Sequence, residues 1–333
     1  AGNTNLFDLA IGETITYEIT ATLPEGNIKG FNIKDILGQS PQKLTYLPNS
    51  ASVIWIGGPG GTGSNLFTDA AWTNPLTSSG VSVGTDGTIN FGFGTDVYNR
   101  PDNLVTDADR VKVRLTAFVP NVAENVAGQK VTNTGIVEYK EASGTSKTVQ
   151  DTEDAEIVEP IFDLKKDTTT SIVERGDQVI YTVTLKNAAV SSSVFSAPAF
   201  DVTIDDGLLP GKLTLVPGTA QIVSAGTTAP ASVRAVDVGG TLVVRISSAE
   251  IMPDPQIHVH YTAVVSESVE AGTNLENTVT LKGDSHPMTP TPPDQRNYEL
   301  SATETVTVKS PTIVKTVAAT SIDETSSSFH DAS

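Results

Sequence analysis

The sequence predicts an all-β protein made of two tandem β-sandwich modules followed by a strand that belongs to a next repeat. Three observations carry this. Apolar residues alternate with period two in the ordered stretches, Gly, Pro, Asn and Asp turns divide those stretches, and the two halves repeat the same landmarks in the same order. At 333 residues the length suits two domains with some chain left over.

The strands can be justified in order. Between Ile11 and Thr20, alternation puts Ile11, Ile15, Tyr17 and Ile19 on one face. Between Val111 and Phe118 it does the same for Val111, Val113, Leu115 and Ala117. Thr241 to Ile246, Ile257 to Val265 and Ala302 to Val308 continue the pattern, the last closing the second module. A short helical turn is expected near Asp205 to Leu209. The glycine-rich stretch Gly57 to Gly63 lacks the Lys-Ser/Thr ending of a phosphate loop. Residues Asn65 to Gly94 read as a hairpin or surface insertion holding Trp72, Phe91 and Phe93, and residues 284 to 295 as a proline-stiffened loop.

The duplication has four landmarks. Gly12-Glu13 leading to Tyr17 repeats as Gly176-Asp177 leading to Tyr181. Phe31 to Asp35 repeats as Phe200 to Asp205, Leu44 to Ala51 as Leu213 to Ala220, and Asn133-Thr134 as Asn277-Thr278. The first module is therefore placed at residues 1–158, with an insertion at 57–94, and the second at residues 159–309. The repeat is broken at one point. The second module opens with Pro160 to Lys166, whereas the first has almost nothing ahead of its Gly12 turn. Residues 310–333 begin with Ser310-Pro311-Thr312-Ile313-Val314-Lys315-Thr316-Val317, which resembles the missing strand. That tail can fold back, insert into the first module of a neighbouring copy, or open a third module in a longer polypeptide. The short connection at Ser310 disfavours folding back over two modules.

Composition excludes several functions. There are 21 Lys and Arg against 39 Asp and Glu, a net charge of −18, which works against nucleic acid and anionic membrane as partners. No apolar run is long enough to span a membrane. Zero cysteine removes thiol catalysis, cysteine-metal sites and disulfide staples. An extracellular chain of this kind needs another source of strength.

The landmarks resemble the DUF11-type repeats of bacterial surface proteins, related to the isopeptide-forming domains of fimbrial and pilin-like proteins. The matching residues are Gly12-Glu13, Asp35, Leu44 to Ala51 and Asn133-Thr134, then Gly176-Asp177, Asp205, Leu213 to Ala220 and Asn277-Thr278. The usual Asp-x-Leu-Pro is altered to Asp35-Ile36-Leu37-Gly38 and Asp205-Asp206-Gly207-Leu208. The resemblance implies immunoglobulin-like sandwiches in an extracellular or cell-surface structural protein, not an enzyme. It implies a subunit of a fibre, sheath or surface layer that joins identical subunits or adjacent repeats head to tail. The alternative is a spacer in the stalk of an adhesin, and a carbohydrate-binding module through Trp55 and Trp72 is a more distant one. A glycan or surface receptor would be the partner in those cases.

The resemblance also implies an autocatalytic bond between a first-strand lysine amine and a late-strand asparagine carboxamide, assisted by a buried acid. In the second module the matching residues are Lys165 or Lys166, Asp205 or Asp201, and Asn277. Adjacent lysines point to opposite faces, and Lys165 is favoured for sharing a face with Asp163 and Ile161. In the first module they are Asp35 and Asn133, with Lys315 of the tail as the lysine.

The only cofactor with a ligand set is calcium, at Asp102, Asn103, Asp107 and Asp109 and at Asp205 and Asp206. Asp151, Glu153, Asp154 and Glu156 offer a further set at the module junction. His258 and His260 share a strand face without an evident third ligand.

Overall fold

The computed structural model describes residues 7–38, 43–59, 63–78, 80–94, 96–187, 196–225, 231–238, 241–251, 256–287, 294–316 and 318. The first half contributes β1 (Phe7–Ala10), β2 (Thr14–Thr22), β3 (Gly26–Ile36), β4 (Thr45–Tyr46), β5 (Ser52–Ile56), β6 (Leu66–Phe67), β7 (Gly80–Val83), β8 (Ile89–Gly92), β9 (Val97–Asn99), β10 (Arg110–Phe118), β11 (Lys130–Lys140) and β12 (Ser146–Val158). The second half contributes β13 (Phe162–Thr168), β14 (Ile172–Val173), β15 (Gln178–Asn187), β16 (Ala199–Gly207), β17 (Leu213–Leu215), β18 (Gln221–Ala225), β19 (Ala231–Val238), β20 (Thr241–Ile251), β21 (Gln256–Val265), β22 (Asn274–Asp284) and β23 (Asn297–Val308). Among the described residues the only helical turn is a 3-10 turn at Asp107–Asp109, closed by a capping box with Thr106. The turn expected near Asp205 is absent because β16 runs through to Gly207.

Each half is an immunoglobulin-like sandwich of two sheets. In the first, one sheet runs β1-β12-β11-β3-β8-β7, and the other pairs β2 with β10, which also pairs β4 and β5. In the second, the corresponding sheets are β14-β23-β22-β16-β20-β19 and β13-β15-β21, with β17 and β18 on the far edge of β21. Both sandwiches even share a short parallel edge pairing, β1 with β12 and β14 with β23. Apart from the β6–β9 ribbon of the first sandwich, the strands correspond one for one except at β13. β13 pairs antiparallel along β15, with Lys166 opposite Val183, and β2 has no such neighbour in the described structure.

Period-two alternation explains the two cores. Val179, Tyr181, Val183 and Leu185 face inward from β15, and Val111, Val113, Leu115 and Ala117 from β10. They form separate apolar clusters, one per sandwich. Residues 57–94 differ from the expected insertion. The β7–β8 hairpin is the counterpart of β19–β20, and Phe91 and Phe93 are core residues rather than surface ones. The true addition is the β6–β9 ribbon, which attaches to the start of β3. Trp72 sits beside it at φ 58°, edge-on to Phe67.

The two sandwiches meet across a polar junction. The Arg296 guanidinium donates to Glu159 Oε1 (2.6 Å), Asn121 Oδ1 (2.8 Å) and the carbonyls of Val122 and Asn125 (2.8 and 3.0 Å). Ser285 Oγ donates to the Ile11 carbonyl at 2.7 Å, and Ala10, Val158 and Ala197 form a small apolar contact. The half-buried guanidinium thus ties four acceptors together at the junction. Residues 311–316 leave the far end of the second sandwich unpaired and exposed, with Ile313 at 93%. Val317 and residues 319–333 of the expected tail strand, and residues 288–293 of the proline loop, lie outside the described residues.

Gly12 tests the junction. Its φ is +88°, and a Cβ there would lie 2.1 Å from the Asp294 carbonyl oxygen. Its counterpart Gly176 (φ +77°) would meet only the flexible end of Glu267 at 2.7 Å. Gly176→Ala should cost about 1 kcal/mol from the backbone alone. Gly12→Ala should cost roughly 3 kcal/mol, because backbone of the other sandwich must also move. Thermal denaturation of both variants checks the difference.

Candidate functional site

In the second sandwich a lysine, an acid and a carboxamide are brought together between the sheets. β13 turns Phe162, Leu164 and Lys166 inward and Asp163 and Lys165 outward. This reverses the expectation for the lysine pair. Lys165 is exposed and 3.4 Å from Asp163, while Lys166 is buried. β16 turns Val202, Ile204 and Asp206 inward. Asp206 is fully buried, whereas Asp205 is half-exposed and pairs with Arg245 at 2.5 Å. Asp201 lies on an exposed bend at φ 49°.

A β-bulge lies just ahead of Asp205 and Asp206 and obscures the match to the first module. The pairing of β16 with β22 slips between Phe200 and Thr203, beside the positive φ of Asp201. A bulge inserts one residue and so exchanges the two faces beyond it. Past the bulge the inward series Val202, Ile204, Asp206 matches Phe31, Ile33, Asp35, whereas pairing Phe31 to Asp35 with Phe200 to Asp205 sets five residues against six and stops one residue short of the buried acid.

The resulting cluster is tight. Lys166 Nζ donates to Asp206 Oδ1 and Oδ2 at 2.6 and 2.5 Å, and Tyr261 Oη donates to Asp206 Oδ2 at 2.6 Å. Asn277 Nδ2 donates to Tyr261 Oη at 2.9 Å. Tyr181 and Tyr261 stack with centroids 5.3 Å apart and lie 4.8 and 5.7 Å from Lys166 Nζ. Asn277 Oδ1 and Tyr181 Oη have no hydrogen-bond partner. Burial lowers the Lys166 amine to about 8 against the opposing pull of Asp206. Burial also raises the Asp206 carboxyl, more than its partners lower it. Both shifts favour moving a proton from lysine to aspartate. The amine and the acid lie beside a carboxamide whose carbonyl oxygen has no hydrogen-bond partner.

That arrangement suits amide transfer. The neutral Lys166 amine has a lone pair to attack Asn277 Cγ, and protonated Asp206 can donate to the carboxamide oxygen. A new C–N bond would form, the original C–N bond would break, and ammonia would leave. Proximity within a rigid sandwich replaces any need for an external catalyst. The tyrosines were not legible as site residues. Tyr17 and Tyr181 appear in the repeat as strand landmarks, and Tyr261 carries no local signature.

The first sandwich has the same floor without the lysine. Asn133 Nδ2 donates to Asp35 Oδ2 at 2.9 Å, and both residues are buried. Asp35 Oδ1, Asn133 Oδ1 and Tyr17 Oη have no partner. A groove of about 910 Å³ opens over them, lined by Ile15, Ile19, Ala21, Leu23, Phe31 and Val137 among others. It runs beside β2, where the second sandwich holds β13. Burial drives the Asp35 carboxyl up to about 7, only partly offset by its hydrogen bond from Asn133.

The acidic loops are structurally employed. Asp109 accepts from Thr106 N at 2.7 Å and Asn65 Nδ2 at 3.1 Å, and Asp102 accepts from the same amide at 2.9 Å. Asp107 pairs with Arg110 at 2.8 Å, and the Asn103 amide donates to Glu25 at 2.5 Å. Of the junction set, Asp154 pairs with Lys130 and Glu156 is buried in β12. Among the described residues no three His, Asp or Glu side chains converge in a metal-holding group. His258 instead bonds Thr184 Oγ1 at 3.0 Å.

No family model matches the chain, and no curated protein matches it. The DUF11-type resemblance thus rests on the sequence landmarks alone. Solved structures include similar chains. One is BcpA, the major pilin subunit of Bacillus cereus, at 13% identity, covering 84% of this chain and 69% of that one, with a TM-score of 0.30. Another is the major pilin SpaA of Corynebacterium diphtheriae, at 15% identity, covering 80% and 62%, with a TM-score of 0.29. A third is a C-terminal fragment of the major pilin GBS80 of Streptococcus agalactiae, at 14% identity, covering 89% and 87%, with a TM-score of 0.27. The site is read from this chain's own geometry.

Asp35 gives the open groove a pH signature. Its carboxyl stays protonated in the folded state up to about pH 7 but ionises near 4 when unfolded. Between those values the folded state binds the extra proton, so stability falls as pH rises from 4 to 7. Denaturant midpoints measured across that range should decline for the wild type, and Asp35→Asn should flatten this component.

Proposed function

We propose that this chain is a structural subunit of an extracellular fibre, sheath or surface layer, assembled head to tail by strand complementation. The observation that carries the reading is the absence, among the described residues, of a strand beside β2 where the second sandwich has β13. The β2 edge is open above an apolar groove, and an exposed segment at 311–316 has the character of the strand that fills that position in the second sandwich. An edge strand with unpaired N–H and C=O groups is a site that proteins usually cover, and a strand from outside restores the ladder. Within the second sandwich, Lys166 and Asn277 form an isopeptide bond assisted by Asp206, a staple suited to a chain without cysteine. The polar junction at Arg296 suits a rod and also fits spacer modules in an adhesin stalk, where the strand would come from an adjacent repeat. The pilin likenesses agree with this reading without adding weight to it.

Electron microscopy of the purified chain tests the assembly. Wild type should form filaments, and Ile313→Asp should stay as single short rods because a carboxylate cannot enter the apolar groove. Filaments in the variant equal to wild type would sink the strand-complementation reading. Intact mass under denaturing conditions tests the staple. Wild type should weigh one ammonia less than the sequence, and Asn277→Ala should show its full calculated mass. That variant should also lose on the order of 4 kcal/mol, by analogy with a covalent crosslink closing a loop of about 100 residues.

A further inference from the structure

A second carboxylate stands at the Lys166 site without a part in the amide transfer. β23 turns Leu300, Ala302, Glu304, Val306 and Val308 toward the sandwich interior, the first three half-buried and the last two buried. Glu304 interrupts this otherwise apolar face. It stands directly opposite Asn277 in the β22–β23 ladder, where cross-strand side chains are neighbours. β13 packs along β23, and β14 pairs with β23 only at Thr307 and Val308. At the level of Glu304 both β13 and β23 are therefore sheet edges, and this carboxylate lies at the lateral seam between the sheets.

The position recurs. In the first sandwich Glu153 stands opposite Asn133 in the β11–β12 ladder. Thr152-Glu153-Asp154-Ala155-Glu156-Ile157 and Thr303-Glu304-Thr305-Val306-Thr307-Val308 share the order Thr-Glu followed by an apolar residue at every second place. Burial raises the equivalent Tyr17 and Tyr181 hydroxyls, the charges of Asp35 and Asp206 add to this, and those of Glu153 and Glu304 add further. A carboxylate kept at one register position on an apolar face of both repeats points to a role beyond packing.

That role follows from charge. Burial lowers the Lys166 amine, and the negative charges of Asp206 and then Glu304 pull it back up. The other elements facing the amine bring Tyr181 from β15, Tyr261 from β21 and the Asn277 carboxamide from β22. Asp206 loses its charge when it takes the lysine proton, whereas Glu304 keeps its own. Glu304 thus favours the ammonium form and opposes the internal transfer that makes the amine a nucleophile. We infer that Glu304 is a positioning residue that holds Lys166 as ammonium at the seam and restrains bond formation until its own charge is neutralised. This rests on the Lys166–Asn277 reading and adds the control of that bond. In the restrained step the neutral amine bonds Asn277 Cγ and the carboxamide nitrogen leaves as ammonia. The amine gives one proton to the departing nitrogen, and Asp206 ends with the proton it had taken.

The test follows ammonia loss in time. Chain recovered unfolded in urea at its full calculated mass is diluted to start folding, and intact mass is read at intervals between about pH 5 and pH 8. At neutral pH Glu304→Gln should form the bond about fivefold faster than wild type, the effect of one charge at a half-buried site. The ratio should fall toward one as acid neutralises Glu304. Glu304→Asp, which keeps the charge, should restore the slow rate at neutral pH. A ratio of one at every pH, or a slower Gln variant at neutral pH, would overturn the restraint and leave the bond standing. A second measurement stands apart from the bond. In Asn277→Ala, where Lys166 stays a free amine, its Cε resonance should titrate at lower pH once Glu304→Gln is added. Ammonia loss absent from wild type at every pH would overturn the Lys166–Asn277 bond, and the Lys166 titration then decides Glu304. An unmoved titration would sink the inference.

Discussion

A lysine and an aspartate share the middle of the second sandwich, where neither can hold its charge at low cost. Water is excluded, and two stacked tyrosines enclose the amine. An ion pair in such a place gives little net stability compared with apolar packing, because desolvation opposes the attraction. The arrangement makes sense once the proton moves. Neutral amine and neutral acid tolerate burial, and with Asn277 beside them they have the make-up that the proposed amide transfer needs. The rest of the sandwich serves to hold that geometry: β13 supplies the amine, β16 the acid, β22 the carboxamide and β21 the tyrosine that bridges acid and amide.

The same constraint explains the first sandwich by subtraction. Removing one edge strand leaves the acid and carboxamide bonded to each other and three polar atoms unsatisfied. Apolar side chains that β13 covers in one sandwich face a groove in the other. Burial, unsatisfied hydrogen bonding and an unpaired sheet edge thus coincide at one place. The Arg296 junction joins the two sandwiches, so groove and exposed strand segment lie on different sandwiches of one chain.

Much of the architecture was legible because a half-buried strand writes its burial into every second residue. Tyr17, Tyr181 and the Val111 to Ala117 series could be assigned to faces by counting. The hairpin at 80–92 was not, because Gly and Thr obscure its alternation until its counterpart in the second sandwich is seen. The buried acid was missed by one residue. Matching Phe31 to Asp35 with Phe200 to Asp205 sets five residues against six, and the bulge at Asp201 hides that Val202 is the counterpart of Phe31. For the lysine the sequence offered both Lys165 and Lys166 and favoured the wrong one, since both fit the composition of an edge strand.

The sequence by itself determined the duplication, the all-β class and the lack of any cysteine staple. These are properties of order and spacing along the chain, which period-two packing makes readable. Only the tertiary structure decided that Lys166 and Asp206, rather than their neighbours, meet Asn277, and that Tyr261 joins them. It also decided that the missing strand leaves a groove floored by Asp35 and Asn133. The reason is physical: which face a residue takes depends on local register and bulges, and which faces meet depends on how two sheets close.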